Sequence, residues 1–250
     1  MSKILIEDLM ENFRIYHDCS PSLKDYVANL FKSRNGSSYS DFAALKNVTL
    51  DIHPGERVGI IGHNGAGKST LLKALCGIYH PSMGTIHVEG RVAPLLEIGA
   101  GFHPEYTGRE NIYLNGSILG LKKKHIQAIE EQVIEFAEVE EFIDTPVKYY
   151  STGMYMRLAF SLATATEPDI LILDEVFAGG DASFVEKAKR RMHDMIDKAE
   201  IMIMVSHDHN LIRSLCNRVV WVDHGRVVAD GDAKKIIDRY ISGEKPCPEC

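Results

Sequence analysis

The stretch GIIGHNGAGKSTLL, Gly59 to Leu72, constrains the fold more than any other part of the chain. Gly62 is followed by His63, Asn64, Gly65 and Ala66, and then by Gly67, Lys68 and Ser69. That is the spacing G-x-x-x-x-G-K-[ST] of a phosphate-binding loop. The apolar residues before it read as a buried strand. The residues from Lys68 on, with Thr70 in the first turn, read as a helix stopping at Gly77. Glycines let backbone N–H groups curl around phosphate oxygens with no Cβ in the way. The helix N-terminus adds the positive end of its dipole. In this pattern Lys68 reaches the β- and γ-phosphates and Ser69 ligates Mg²⁺, so the expected ligand is a nucleoside triphosphate.

Hydrolysis needs an acid that holds the metal and a base that activates water. The run ILILDE ends a short apolar strand in Asp174 and Glu175. Asp174 is the candidate for Mg²⁺ and Glu175 for the general base. A further apolar run, IMIMVSHD, carries His207 at its end, within reach of a γ-phosphate.

From about residue 56 onward, predicted strands and helices alternate, which argues for an α/β fold with a largely parallel core sheet. KILIEDL and ALKNVTLDI read as strands ahead of it, and RVVWVDHGRVVADGD reads as a hairpin turning at His224-Gly225. KKHIQAIEEQVIEFAEV and MYMRLAFSLATATE read as helices of a subdomain inserted into the sheet. With 28 basic and 35 acidic residues the net charge is −7, which does not recommend nucleic acid as a partner. The five cysteines are scattered apart from Cys247 and Cys250, so no disulfide framework is expected and a reducing cytoplasm fits. A lone C-x-x-C is weak support for a metal site. The apolar runs are too short to span a bilayer.

The order of these motifs, with YSTGMYMRLAFSLA between the phosphate loop and ILILDE, then AGGD and SHD, resembles an ABC-type ATPase subunit from about residue 3 to 240. The resemblance implies ATP and Mg²⁺ as cofactors. It also implies a P-loop NTPase (RecA-like) core with an antiparallel β subdomain and an inserted helical subdomain at about 105–165, within one ABC-type nucleotide-binding domain over 1–242. Residues 243–250 are expected to be a tail. Ser151, Thr152, Gly153 and Met154 stand where the family has its signature motif, which contacts ATP across a head-to-tail dimer. The family's usual Ser-Gly is here Ser151-Thr152, and its final Gln is Met154. Ser151 is also a candidate helix cap. Asp181 matches the acid that couples the two sites. Glu97 stands where the family has a glutamine that senses Mg²⁺ and the γ-phosphate. A carboxylate there can ligate the ion yet repels the phosphate. For the aromatic that stacks on adenine, Phe13 fits the register and Tyr16 is the second candidate.

YSTGM, LLEIGAGFHPEYTGRENIYLNG and AGGDASF together are similar to one subgroup, the ATP-binding subunits of bacterial polysaccharide exporters for O-antigen, capsule and teichoic acid. The resemblance implies a peripheral subunit on the cytoplasmic face of the inner membrane. It would pair with a second copy of itself and with a polytopic membrane subunit, touched through GAGFHPEYTGREN, which carries the lipid-linked polysaccharide. A soluble ATPase acting on DNA or ribosomes is the alternative. The single motif set, the absence of a long heptad run and the acidic balance disfavour it.

Two segments lie outside this frame. Between about 18 and 40 an extra helix is expected, with Leu23, Val27, Leu30 and Phe31 on one face, either on the membrane side or packed on the protein's own sheet. After His207 the remaining residues are accounted for by one strand, one hairpin and a closing helix. No separate carbohydrate-binding domain is expected, since a β-sandwich needs on the order of 100 residues.

Overall fold

Ile170, Ile172, Ile201, Ile203 and Val205 turn to one side of a sheet, and Leu171, Leu173, Met202 and Met204 to the other. Strands buried on both faces require apolar residues throughout, and ILIL and IMIMV supply them. The computed structural model describes residues 2–16, 39–96, 98–174 and 182–244. Its main sheet comprises β3 (Arg57–Ile61), β5 (Val92–Leu95), β6 (Ile170–Asp174), β7 (Ile201–Val205), β8 (Arg218–Asp223) and β9 (Arg226–Asp232). The order is β5-β6-β7-β3-β8-β9, parallel except for β9, which returns from β8 as a hairpin.

On one face lies helix α1 (Lys68–Leu75), whose Leu71, Leu72 and Leu75 are buried between the sheet and a smaller antiparallel one. That second sheet is β1 (Lys3–Tyr16) flanked by β2 (Tyr39–Ile52) and β4 (Met83–Glu89). The other face is covered by α5 (Ala182–Lys198), α6 (His209–Leu215) and α7 (Ala233–Ile241) through Phe184, Met192, Ile212, Ile236 and Ile237. Between β5 and β6 stand α2 (Gly108–Ile118), α3 (Lys123–Ala137) and α4 (Thr152–Ala163), with their own core of Ile112, Ile126, Val133, Leu158 and Leu162.

β1 and β2 run longer than the sequence suggests. Their pairing continues to Tyr16↔Tyr39, and register shifts between Ile6 and Asn12 break the alternation on which a strand is recognised. Tyr39 and Ser40, expected in the helical insert, open β2 instead. The expected helix with Leu23, Val27, Leu30 and Phe31 lies outside the described residues.

Candidate functional site

β3, β7 and β6 are neighbours, and their C-terminal ends come together at one edge of the sheet. Ile60 pairs with Val205, and Val205 with Asp174. In open parallel sheets the crevice beyond these ends is where ligands bind. The phosphate loop follows β3, Asp174 closes β6, and His207 stands two residues after β7. A cavity of about 430 Å³ opens there. Asn64, Gly65, Gly67, Lys68, Ser69 and Thr70 line one side of it, and Asp174 and His207 the other.

The loop takes a shape that only its glycines permit. Gly62 has φ +149°, and a Cβ on it would stand 2.1 Å from the carbonyl oxygen of Val222. Gly67 has φ +108°, and a Cβ there would stand 2.8 Å from the carbonyl oxygen of Ala44. Both contacts are with backbone and cannot relax by a rotamer change. Ala66 is fully buried, and its carbonyl accepts from the Gly225 N–H at 2.8 Å, tying the loop to the β8–β9 turn. Lys68 is nearly buried, and its Nζ donates to the carbonyl oxygens of Gly62 at 2.8 Å and His63 at 3.0 Å. α1 begins at Lys68 with no side-chain cap and no acid in its first turn, an N-terminus suited to receive an anion. Ser69 and Asp174 share the cavity and supply the hard oxygen donors a magnesium ion takes.

The aromatic that reaches the cavity is one the sequence reading missed. Phe42, about half exposed, lines it together with Ala44. Phe13 is the cross-strand partner of Phe42, but its ring packs edge-on against Tyr79, with centroids 5.3 Å apart. Tyr16 ends β1 opposite Tyr39. Of the two rings Phe13 and Phe42, only that of Phe42 is at the cavity. Phe42 falls just ahead of ALKNVTLDI, outside the residues read as strand.

Ser151 to Met154 stand apart from the cavity, at the start of α4 in the helical layer. Ser151 Oγ accepts from the Met154 N–H at 3.2 Å, which makes Ser151 the N-cap expected of it. The described stretch after Glu97 is joined to the same helix. Tyr155 Oη donates to the Gly99 carbonyl at 2.7 Å, and burial raises the phenol's pKa. Glu97, Glu175 and Asp181 themselves lie outside the described residues.

The segment GAGFHPEYTGREN is held rigidly. Asn111 is fully buried, and its Nδ2 lies 3.1, 3.0 and 2.9 Å from the carbonyl oxygens of His103, Tyr106 and Thr107. Its Oδ1 accepts from the His103 N–H at 2.6 Å. Val147 and Lys148 donate backbone N–H groups to Tyr106 and Pro104. The segment is thereby bonded to the strip that leads into Ser151. Arg109 adds contacts to Glu130 and Asp144, and the paired carboxylates raise its pKa, Asp144 foremost. Tyr106 and Tyr149 are left exposed on these two strips.

Residues 45–178 match the ABC transporter family, more than half of the chain. The chain belongs to the ABC transporter family. It is an ATP-binding, ATPase subunit of that family, and its relatives sharpen the comparison. It is 42% identical to the O-antigen export system ATP-binding protein RfbB of Klebsiella pneumoniae over 92% of this chain and 94% of that protein. It is 35% identical to the teichoic acids export ATP-binding protein TagH of Bacillus anthracis, over 95% of this chain and 42% of that one. Among solved structures, a dimeric ATP-binding cassette bound to ADP and Pi shares the fold at TM-score 0.65 and 20% identity, covering 92% of this chain and 98% of that one.

Proposed function

We propose that this ABC transporter subunit hydrolyses ATP to power export of a lipid-linked cell-surface polysaccharide, O-antigen in the first instance. The observation that carries the reading is the cavity lined by the phosphate loop with Lys68, by Asp174 and by His207. The names of relatives at about 40% identity support the polysaccharide. A teichoic-acid polymer is the second reading, favoured by the TagH relative.

In this account the N–H groups from Asn64 to Thr70 and the α1 terminus bind the phosphates. Lys68 supplies charge to the β- and γ-phosphates, and the ring of Phe42 stacks on adenine. Ser69 and Asp174 hold Mg²⁺, which when bound draws charge off the phosphate oxygens. Glu175 takes a proton from water as its oxygen attacks the γ-phosphorus. The bond from that phosphorus to the β–γ bridging oxygen breaks, and ADP leaves with the electron pair. His207 holds the γ-phosphate oxygens. The Ser151 segment of a second copy closes over the nucleotide, with Asp181 linking the two sites. The similar solved domain is described as a dimer, which supports that assembly. Hydrolysis would release the pair, because nucleotide shifts the equilibrium only through contacts particular to the closed state.

The partner in the bilayer is a separate membrane subunit. Among the described residues no helix is long and apolar enough to cross a membrane. The rigid His103–Tyr106 strip, bonded to the lead-in of Ser151, is suited to pass closure on to it. The test is replacement of this chain in its cell by Lys68→Ala. Loss of surface polysaccharide with the lipid-linked polymer retained inside supports export, and the retained polymer's chemistry distinguishes O-antigen from teichoic acid. Undiminished surface polysaccharide would contradict the proposal.

A further inference from the structure

His63, Asp223 and His224 meet beside the phosphate loop, away from the cavity just described. One ligand atom from each lies within 4.8 Å of the others. Two elements bring them together: His63 follows Gly62 in the loop, while Asp223 and His224 form the β8–β9 turn.

The orientation of His63 is fixed. Its Nδ1 lies 2.7 Å from the carbonyl oxygen of Asn64. A carbonyl only accepts, so Nδ1 carries the hydrogen, and Nε2 is the nitrogen turned toward the β8–β9 turn. It faces Asp223 Oδ1 at 2.9 Å. A proton or a metal ion between them joins the two atoms. A proton would satisfy the pair but would make no use of His224, whose ring centroid is 4.8 Å from that of His63. A metal ion would use all three. An Nδ1–H held by a backbone carbonyl, with Nε2 free for the metal, is the usual outer-shell arrangement of a ligating histidine.

The turn gives a second, independent observation. β8 and β9 are joined by His224 and Gly225 alone, with φ +46° and +81°. Such a two-residue turn with both φ values positive favours Asn, Asp or Gly at its first position. A histidine there brings an imidazole next to the loop at a conformational cost that Asn would not incur.

We propose that His63, Asp223 and His224 form a binding site for a borderline divalent transition-metal ion such as Zn²⁺, distinct from the Mg²⁺ of the nucleotide. Two imidazole nitrogens and one carboxylate match the donor set of zinc, whereas magnesium prefers oxygen alone. Zinc bonds of about 2.0–2.1 Å bring neighbouring tetrahedral donors to roughly 3.4 Å apart. His63 Nε2 and Asp223 Oδ1, 2.9 Å apart, already stand near this separation, the exposed His224 side chain turns to meet them, and water completes the shell. The ion would pin the loop to the turn at His63, whose carbonyl also accepts from Lys68 Nζ.

The test uses the full chain free of nucleotide, in a Cys247→Ser/Cys250→Ser background so that the C-x-x-C pair does not contribute. Zn²⁺ is titrated calorimetrically, and Co²⁺ is followed by its visible absorption. We expect one saturable equivalent of Zn²⁺, an intense Co²⁺ band typical of four-coordination, and a rise in Tm at saturation. His224→Asn suits the turn and should keep the parent's metal-free Tm while weakening Zn²⁺ at least tenfold. His63→Gln should do the same. No saturable Zn²⁺ binding, or binding that both substitutions leave unchanged, would overturn the site.

Discussion

Lys68 Nζ donates to the Gly62 carbonyl at 2.8 Å, so the loop's only ammonium group is held by the residue that opens the loop. The bond keeps the charge over the floor of the phosphate cradle, where burial strengthens any contact with an anion.

Lys68→Ala should therefore weaken ATP binding rather than turnover of bound ATP alone. Loss of a charge-assisted contact of about 1.5–3 kcal/mol corresponds to roughly a 10- to 100-fold rise in Kd. Titration with a fluorescent ATP analogue checks this, and an unchanged Kd would remove Lys68 from the phosphate contacts.

Phe42 and Phe13 face each other across β1 and β2 but should respond differently. Phe42→Ala should raise the Kd for ATP by about 5- to 100-fold, the equivalent of losing one base-stacking contact of about 1–3 kcal/mol, with little change in Tm. Phe13→Ala removes the contact with Tyr79 and should lower Tm with little change in Kd. The opposite pattern would return the adenine to Phe13.

Ser151 and Thr107 make a matched pair. Each caps a helix, α4 and α2, and Thr107 does so in a capping box with Glu110. Either residue changed to Ala should cost about 1 kcal/mol of stability. Only Ser151→Ala should also reduce ATP turnover at high protein concentration, where two copies pair. Equal ATPase activity in the two variants would leave Ser151 a cap and nothing more.

Cys76 and Cys216 are pushed up to about 12 from an ordinary value of 9.0, in both cases by burial. Between these values the folded chain binds more protons than the unfolded one. The stability linked to the thiols is therefore complete below about pH 9 and declines as pH rises toward 12. Denaturant titrations at about pH 8 and pH 10 should show a fall that is smaller in Cys76→Ala/Cys216→Ala. An equal fall in both proteins would mean the thiols titrate normally in the fold.

What was legible in the sequence followed from local patterns. The loop's glycines, the apolar run ending at Asp174, the cap at Ser151 and the His224-Gly225 turn each depend on residues close in sequence. The long β1–β2 arm was not legible, because register shifts between Ile6 and Asn12 scramble its alternation and leave Phe42 outside the residues read as strand. The approach of His63 to Asp223 depends on β3 pairing with β8, a contact no local pattern encodes. Asn111 likewise reads as an ordinary helical polar residue, and its burial under the His103–Thr107 strip emerges only in three dimensions.

The central claim is ATP hydrolysis at the phosphate loop with Glu175 as the base, and Glu175→Gln tests it most directly. Steady-state phosphate release and ATP affinity should be measured on the purified variant, with its mass in solution recorded with and without ATP. The account predicts ATP binding close to that of the parent, turnover reduced at least a hundredfold, and an ATP-dependent dimer that persists because the nucleotide is not consumed. Phosphate release near the parent's rate, with no stabilised dimer, would contradict it.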